Sequence, residues 1–443
     1  MISPGQQIIV IGGGLAGLAA ARQLQHAGMR VVVLERATAV GGRARTVMEG
    51  GYRIELGAEF LASFYTRTLA LIDELGLGHA LRQIPRSAAT LRNGQLHALW
   101  PNLRAAFTQL VGTRQKLPLS YLVGSLLRHA SQLDLHAFAK AHQLDDCSVS
   151  TYARAHLSEE LLEYLLQPAI AGIFYWTPER TSRALLLIAL RAGLAHPAGL
   201  RIFTLDEGIG QLARALAAHL EVHSATEVLA VERHAHGGYR IKARQGGSER
   251  SYEAAGVVVA TTANVVPQLL PWLNGAQRDF FAAVHYSATV NLAVGTRNQL
   301  PNEIYGLLFP RRETPFLASA TMQTVKAASF APQGRDLICL HMSGPASRAL
   351  REHDDASLGR LMLSELRRLV PSYDPTPHAE FQRLYRCPEA LPEFDVGSFQ
   401  RIARFLSGGI ETQKLVFAGD YLGGPFVEGA ITSGEQAAKR LLG

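Results

Sequence analysis

Apolar and polar positions alternate in a way that divides this chain into recognisable elements. Ile8 to Ile11 are consecutive β-branched residues, and "LAGLAAARQLQHAG" then repeats its apolar positions at helical spacing up to Gly28. The first run predicts a buried strand and the second a helix with a glycine stop. "MRVVVLER" predicts a second strand ending in Glu35. Near the other end, "LVFAG" reads as a buried strand before a glycine loop and a helix from about "VEGAITSGEQAAKRLL". Mid-chain, "IFTLDEGIGQLARALAAHL" reads as strand, turn and helix, and "EVHSATEVLAVERHAHGGYRIKA" and "AAGVVVATTANVV" read as strands.

Two insertions separate these pieces. Residues 97–200 carry helical patterns: "LRAAFTQLVG", "LSYLVGSLLRHASQL", "SVSTYARAHLSEELLEYLLQPAIAGIF" and "ALLLIALRAGL". Residues 275–390 alternate strands with turns, as in "HYSATVNLAVGT", "YGLLFPRRE", "PFLASATM" and "LICLHMSG", which predicts a mixed sheet. Repeats and low-complexity tracts are absent from the sequence.

The first strand–turn–helix unit carries chemistry. Gly12, Gly14 and Gly17 have G-x-G-x-x-G spacing, with Gly13, Leu15 and Ala16 between them. The first glycine allows a tight turn, the second lets backbone approach a pyrophosphate, and the third lets helix and strand pack closely. The helix N-terminus offers unpaired N–H groups and a positive dipole end to phosphate. Glu35, about twenty residues on, is placed to accept from ribose hydroxyls, and an acid there disfavours a 2′-phosphate. The motif is specific because it follows a strand, opens a helix and meets an acid after a second strand.

Composition narrows the class. With 443 residues, 47% hydrophobic and 18% charged, the chain suffices for two or three globular domains. Its net charge of +7 comes mostly from scattered arginines, without the clustering expected of a nucleic-acid binder. Three separated cysteines, Cys147, Cys339 and Cys387, fit neither a disulfide framework nor a zinc site, so a reducing, cytoplasmic setting is expected. The short polar lead before Ile8 predicts no signal peptide, and no run reaches the ~18–20 apolar residues of a membrane span. The amphipathic cap helices suit peripheral membrane contact, although packing inside the protein is the commoner reason for such a pattern. No metal-ligand cluster stands out among the 16 dispersed histidines, and "AHQLDD" (141–146) and "HAH" (234–236) read as solvated polar positions.

"ERATAVGGRARTV" (35–47) resembles the extended glutathione-reductase-type FAD segment of flavin amine oxidases, protoporphyrinogen oxidases and carotenoid desaturases. The resemblance places Glu35, Arg36, Gly41, Gly42 and Arg43 against the cofactor, with Arg43 neutralising pyrophosphate. "ELGAEFL" is similar to the superfamily's next flavin loop, which brings in Gly57, Ala58, Glu59 and Phe60. The terminal "AGD…EGA…SG…AA" element resembles the part that closes over the flavin, and implies roles for Gly419, Asp420, Glu428, Gly429 and Ala430. Val228 stands where a valine backbone commonly contacts adenine. The resemblance implies an α/β fold: a glutathione-reductase-type FAD-binding Rossmann domain from residues 1–75, 201–274 and 386–443. A mixed-sheet substrate domain (76–96 and 275–385) and a helical cap (97–200) complete it.

The implied activity is that of an FAD-dependent oxidoreductase. Hydride passes from a substrate C–H to the flavin, with oxygen or a quinone as the final acceptor. Flavin amine oxidases carry a lysine where this chain has Asn291, a departure that favours a bulky apolar substrate, such as a tetrapyrrole precursor or polyene, over a primary or secondary amine. Phe394 and Phe426 are expected as walls of an aromatic cage. Cys387 lies a few residues from the cysteine that binds flavin covalently in some relatives, so non-covalent FAD is expected. A non-catalytic carrier of lipidated partners is the rival reading from outside enzymology. The pattern is silent on oligomeric state.

Overall fold

The computed structural model describes residues 3–85, 88–99, 110–195, 199–234, 237–297, 300–407 and 414–443. Most of the "LRAAFTQLVG" helix expected at 103–112, and the end of "HAH", lie outside the described residues. In chain order the first elements that position the site are β1 (Gln7–Ile11), α1 (Leu15–His26), β2 (Arg30–Leu34), α2 (Thr66–Glu74), α3 (Leu119–Arg128) and α4 (Gln167–Phe174). There follow β3 (Glu221–His223), β4 (Gly256–Val259), β5 (Thr289–Thr296), β6 (Leu317–Met322) and β7 (Asp336–Met342). The last are α5 (Asp355–Leu369), β8 (Ala379–Cys387), α6 (Ser398–Ser407), β9 (Leu415–Phe417) and α7 (Val427–Leu442).

The first sheet is parallel, in the order β3-β2-β1-β4-β9. Its central strands are buried on both faces, which explains their uninterrupted β-branched runs. Ile8, Ile9 and Val10 are fully buried, each contributing about 1.5–3 kcal/mol of transfer free energy. This sheet brings the two ends of the chain together, because β1 and β9 both flank β4. Helices α1 and α7 cross at close range, and a Cβ at Gly434 would lie 2.1 Å from the Ala16 carbonyl oxygen. Glycine at that position sets the spacing of the two helices.

A seven-stranded mixed sheet runs β8-β5-β7-β6 and continues through Gly306–Leu308, Ala88–Arg92 and Gln95–Leu99. Its faces differ in kind. Val290, Leu292, Val294, Ile338, Leu340 and Met342 pack with Leu358, Met362 and Leu366 of α5 in one apolar cluster. The alternate positions, including Asn291 and His341, face the other way, as the two-residue period of a strand requires. That second face carries polar groups and is covered by the 55–61 loop and by α4, through Asn291 and Ser319.

One expectation is corrected here. Asp145, in the segment read as solvated, is 1% exposed and accepts from the N–H groups of Phe399 and Gln400 at the start of α6. An acid satisfying a helix N-terminus carries no apolar periodicity, so the pattern gave no sign of burial. No helix among the described residues is long and apolar enough to cross a membrane.

Candidate functional site

The glycine loop between β1 and α1 is an open backbone cradle. A Cβ at Gly17 would lie 2.0 Å from the Gly12 carbonyl oxygen, so that glycine serves packing. Gly14 is different, since a Cβ there would meet nothing within 4 Å. The N-terminus of α1 has no side-chain cap and no acidic residue in its first turn, which leaves its N–H groups and dipole free for an anion. Glu35 sits at the loop's edge, accepting from the Gly13 N–H at 2.6 Å and the Ala37 N–H at 2.7 Å. The Glu35 carbonyl accepts from Thr226, which brings the strand containing Val228 alongside β2. Arg36 is exposed.

The second glycine turn closes on the first. The Gly41 N–H donates to the Gly13 carbonyl at 2.8 Å. The adjoining arginine reaches across the molecule, with the Arg43 guanidinium 2.9 Å from the Asp420 carboxylate and also donating to the Ala390 carbonyl. Burial opposes the Arg43 charge, but Asp420 and Tyr286 outweigh it and hold the guanidinium more firmly protonated than usual. The Ala58 N–H donates to the Arg43 carbonyl, and a Cβ at Gly57 would clash with that same oxygen at 2.2 Å. The 41–43 and 57–58 segments therefore form one backbone unit beside Gly419 and Asp420.

The start of α7 lies next to this unit. The side chain of Phe426, its N-cap, makes no capping bond, and a Cβ at Gly429 would lie 2.2 Å from the Gly424 carbonyl oxygen. Ala430 continues the first turn, donating to Phe426. Glu428 turns elsewhere: its carboxylate accepts from the N–H groups of Arg67 and Thr68, the Thr68 hydroxyl and His136 Nε2. Fully buried, Glu428 ties α7 to the start of α2 and to the cap.

Beneath lies a buried polar cluster that sequence reasoning missed, apart from Asn291 and Glu59. Tyr385, Asn291, His341 and Ser319 share one rung across β8, β5, β7 and β6. Asn291 Nδ2 donates to the Glu55 carbonyl at 3.2 Å, while its Oδ1 is buried without a partner. Lys326, fully buried, stands 3.4 Å from Glu55 and 3.3 Å from Glu59 and over the Phe330 ring. Glu59 Oε2 also accepts from Gln323, whereas Oε1 has no hydrogen bond and lies 3.8 Å from His341 Nε2. Burial raises the Glu55 carboxyl despite Lys326. It would raise Glu59 too, but Lys326, His341 and the Gln323 bond hold Glu59 below its ordinary value. His341 is pushed down by burial and by Lys326, against Glu59, and so favours the neutral imidazole.

Three successive aromatics at the end of α4, Phe174, Tyr175 and Trp176, reach three parts of the site. Tyr175 caps the helix in the left-handed region, at φ 60° and ψ 25°. The Phe174 ring lies 5.8 Å from Phe426, the Tyr175 hydroxyl 3.3 Å from His341 Nδ1, and the Trp176 ring 6.3 Å from Phe394. Phe426 also meets Phe64 and Tyr65. Phe394 and Phe426 are thus linked through Trp176 and Phe174, which stack at 4.7 Å. Phe60 is half-buried in the 55–61 loop.

These residues fit FAD. The uncapped α1 terminus, the open space over Gly14 and the Arg43 guanidinium suit a pyrophosphate, and Arg45 Nε is buried without a partner close by in sequence. Among the described residues no group of acidic, histidine or cysteine side chains could hold a metal ion.

Comparison with known proteins agrees with the geometry. The family model for flavin containing amine oxidoreductase matches residues 15–442. Coproporphyrinogen III oxidase of Bacillus subtilis is 22% identical over 459 residues, covering 96% of this chain and 94% of that protein. Putrescine oxidase of Kocuria rosea is 30% identical over 191 residues, covering 42% of this chain and 40% of that protein. Among solved structures, a protoporphyrinogen oxidase assigned as such in Exiguobacterium sp. 255-15 superposes with a TM-score of 0.76 at 22% identity, covering 99% of this chain and 98% of that one.

Proposed function

The chain belongs to the flavin-containing amine oxidoreductase family, and within it we propose that it oxidises a bulky, largely apolar substrate of the porphyrinogen type. It is an FAD-dependent oxidoreductase with non-covalent cofactor. The observation that carries the substrate reading is the Phe174–Tyr175–Trp176 run, whose rings extend the Phe426 contact to His341 and Phe394 as one aromatic wall. Such a wall suits a large, flat, conjugated ring system. Likeness to coproporphyrinogen III oxidase over nearly the whole of both chains supports the same reading.

Bound FAD supplies a two-electron acceptor for hydride from a substrate C–H, with oxygen or a quinone restoring its oxidised form. The residues around it divide the remaining work. The α1 N-terminus and Arg43 hold the pyrophosphate, Glu35 the ribose, and Asp420 both orients Arg43 and offers its free oxygen to the ribityl chain. Phe174, Trp176, Phe394 and Phe426 exclude water and hold the substrate ring in place. Asn291 orients it through an amide that carries no charge. In this reading, the discontinuous FAD unit, the mixed-sheet unit and the helical cap are separate domains.

The second reading is amine oxidation. The free Glu59 oxygen, a buried carboxylate acceptor suited to an ammonium group, favours it. The two are separated by mixing the FAD-loaded protein anaerobically with coproporphyrinogen III, protoporphyrinogen IX or putrescine. Bleaching of the flavin band by a porphyrinogen supports the first reading, and bleaching by putrescine alone overturns it.

Peripheral membrane contact is part of the proposal. Leu117, Val123 and Leu127 are exposed on and beside α3, next to Arg114, Lys116 and Arg128. Apolar side chains rimmed by cations suit an anionic lipid surface. Co-flotation with phosphatidylglycerol vesicles tests this: wild type should float with the vesicles, and Val123→Ser and Leu127→Ser variants with an unchanged circular dichroism spectrum should not.

A further inference from the structure

The polar face of the seven-stranded sheet is short of hydrogen-bond donors. Glu59 Oε1, Asn291 Oδ1 and Gln323 Oε1 are buried acceptors without partners. Asn291 and Gln323 are 6% and 0% exposed, so bulk water does not satisfy them. A buried acceptor left unpaired is costly, and three in one cluster call for a ligand that donates. His341 adds a further acceptor where Nδ1–H donates to the Tyr175 oxygen and Nε2 keeps its lone pair. Nε2 faces Glu59 Oε1 at 3.8 Å, too far for a hydrogen bond between them, and lies a loose 3.4 Å from Thr321.

We infer that this face binds an N–H group of the substrate between Glu59 and His341, and that His341 Nε2 takes the N–H proton as the C–H attached to or conjugated with that nitrogen is oxidised. The inference rests on the oxidoreductase reading above and adds to it a proton-accepting residue, which requires a substrate N–H either on the oxidised carbon, as in an amine, or conjugated with it through a pyrrole ring; a hydrocarbon polyene has neither. The balance is complete: a hydride equivalent leaves the substrate C–H for the two-electron acceptor that FAD would supply, and the N–H proton goes to His341. In an amine the N–H pair becomes the second bond of C=N at the oxidised carbon; in a porphyrinogen it becomes a ring C=N conjugated with a new C=C at the former methylene.

The surroundings support a proton-accepting histidine. The charged and titratable groups that face His341 are Glu59 from the 55–61 loop, Lys326 from the segment after β6, and Tyr175 from the end of α4. Cys339 lies two residues away on β7 and is buried. Burial keeps the imidazole neutral and able to accept. The Glu59 carboxylate then stabilises the imidazolium as it forms, while Lys326 keeps the cluster from carrying two uncompensated acids.

The test uses FAD-loaded wild type, His341→Gln and Glu59→Gln, with flavin content measured by absorbance and the rate of anaerobic flavin bleaching followed against pH. The probes are coproporphyrinogen III, putrescine, the polyene phytoene and dithionite. Wild type is expected to bleach with an N–H probe at a rate that rises with pH through one ionisation, and not with phytoene. H341Q should retain flavin and bleach with dithionite, yet react with the N–H probe about a hundredfold more slowly and without that ionisation. E59Q should move the ionisation to lower pH, because the Glu59 charge raises the His341 pKa. Wild-type rate or an unchanged pH profile in H341Q overturns the inference. So does bleaching by phytoene, or bleaching of the wild type by dithionite but by no N–H probe. A protein that takes up no FAD fails the oxidoreductase reading itself, a distinct result.

Discussion

Arg43 and Asp420, 377 positions apart in the chain, meet in an ion pair at 2.9 Å. One follows the second glycine turn and the other follows β9, so the pair ties the N-terminal glycine loops to the C-terminal strand. The Asp420 side chain is 8% exposed and that of Arg43 31%. Arg43→Ala leaves a buried carboxylate without its partner, and with screening at the exposed end the cost is about 1–3 kcal/mol of apoprotein stability. The double variant R43A/D420A is expected to lose less than the sum of the singles. Urea unfolding of all four proteins checks this, and strict additivity would mean that the pair contributes nothing.

The glycines of the first loop are expected to separate structure from binding. Gly17→Ala would place Cβ 2.0 Å from a backbone carbonyl, so apoprotein stability should fall by more than about 2 kcal/mol, as overpacking against rigid backbone does. Gly14→Ala has open space before it, and the apoprotein should unfold like wild type. Its methyl group would occupy the cradle, so flavin retention should drop by about tenfold or more. Melting temperature with and without FAD distinguishes the two. A G14A protein with normal flavin affinity would move the pyrophosphate away from this loop.

Glu35→Ala tests the ribose position. The carboxylate already accepts from Gly13 and Ala37, so its removal also loosens the glycine loop. Loss of a hydrogen bond to a charged acceptor should weaken FAD binding by about 1.5–3 kcal/mol. Glu35→Gln, which keeps an acceptor, should recover part of that. Equilibrium titration of apoprotein with FAD gives the comparison, with unchanged affinity in E35A as the result that contradicts the assignment.

What the sequence made legible follows from distance along the chain. The β1–loop–α1–β2 unit is local, its glycines and Glu35 lying within one supersecondary motif, and spacing alone located them. The cluster of Glu55, Glu59, Lys326 and His341 comes from three separate segments, and nothing in "TMQTVKAASF" marks its lysine as fully buried. His341 left a faint trace, a histidine on the alternate face of the apolar strand "LICLHM". Glu428 illustrates the opposite case: its place beside the site was legible, but the direction of its side chain was not, because that depends on the uncapped start of α2.

The His136–Glu428 contact gives the protein a pH dependence whose sign can be worked out. His136 Nε2 lies 2.7 Å from Glu428 Oε1. That hydrogen bond raises the His136 pKa above its ordinary 6.5, against a partial burial penalty. A raised folded value means that the contribution is fully present below 6.5 and is lost as pH climbs through the folded pKa. Glu428 behaves in the reverse sense. Burial opposes its charge, but the bonds from His136, Thr68 and Arg67 hold its pKa below 4.5, so its share persists above 4.5 and is lost as pH falls through the depressed value. The cap should therefore be held to α7 most firmly in mildly acidic solution. Because the His136 side chain is 40% exposed, solvent screens the effect and it should be modest. The melting temperature of wild type should fall between about pH 6 and pH 8, and His136→Gln, which still donates but does not titrate, should flatten that decline. An identical slope in H136Q would assign the pH dependence to other groups.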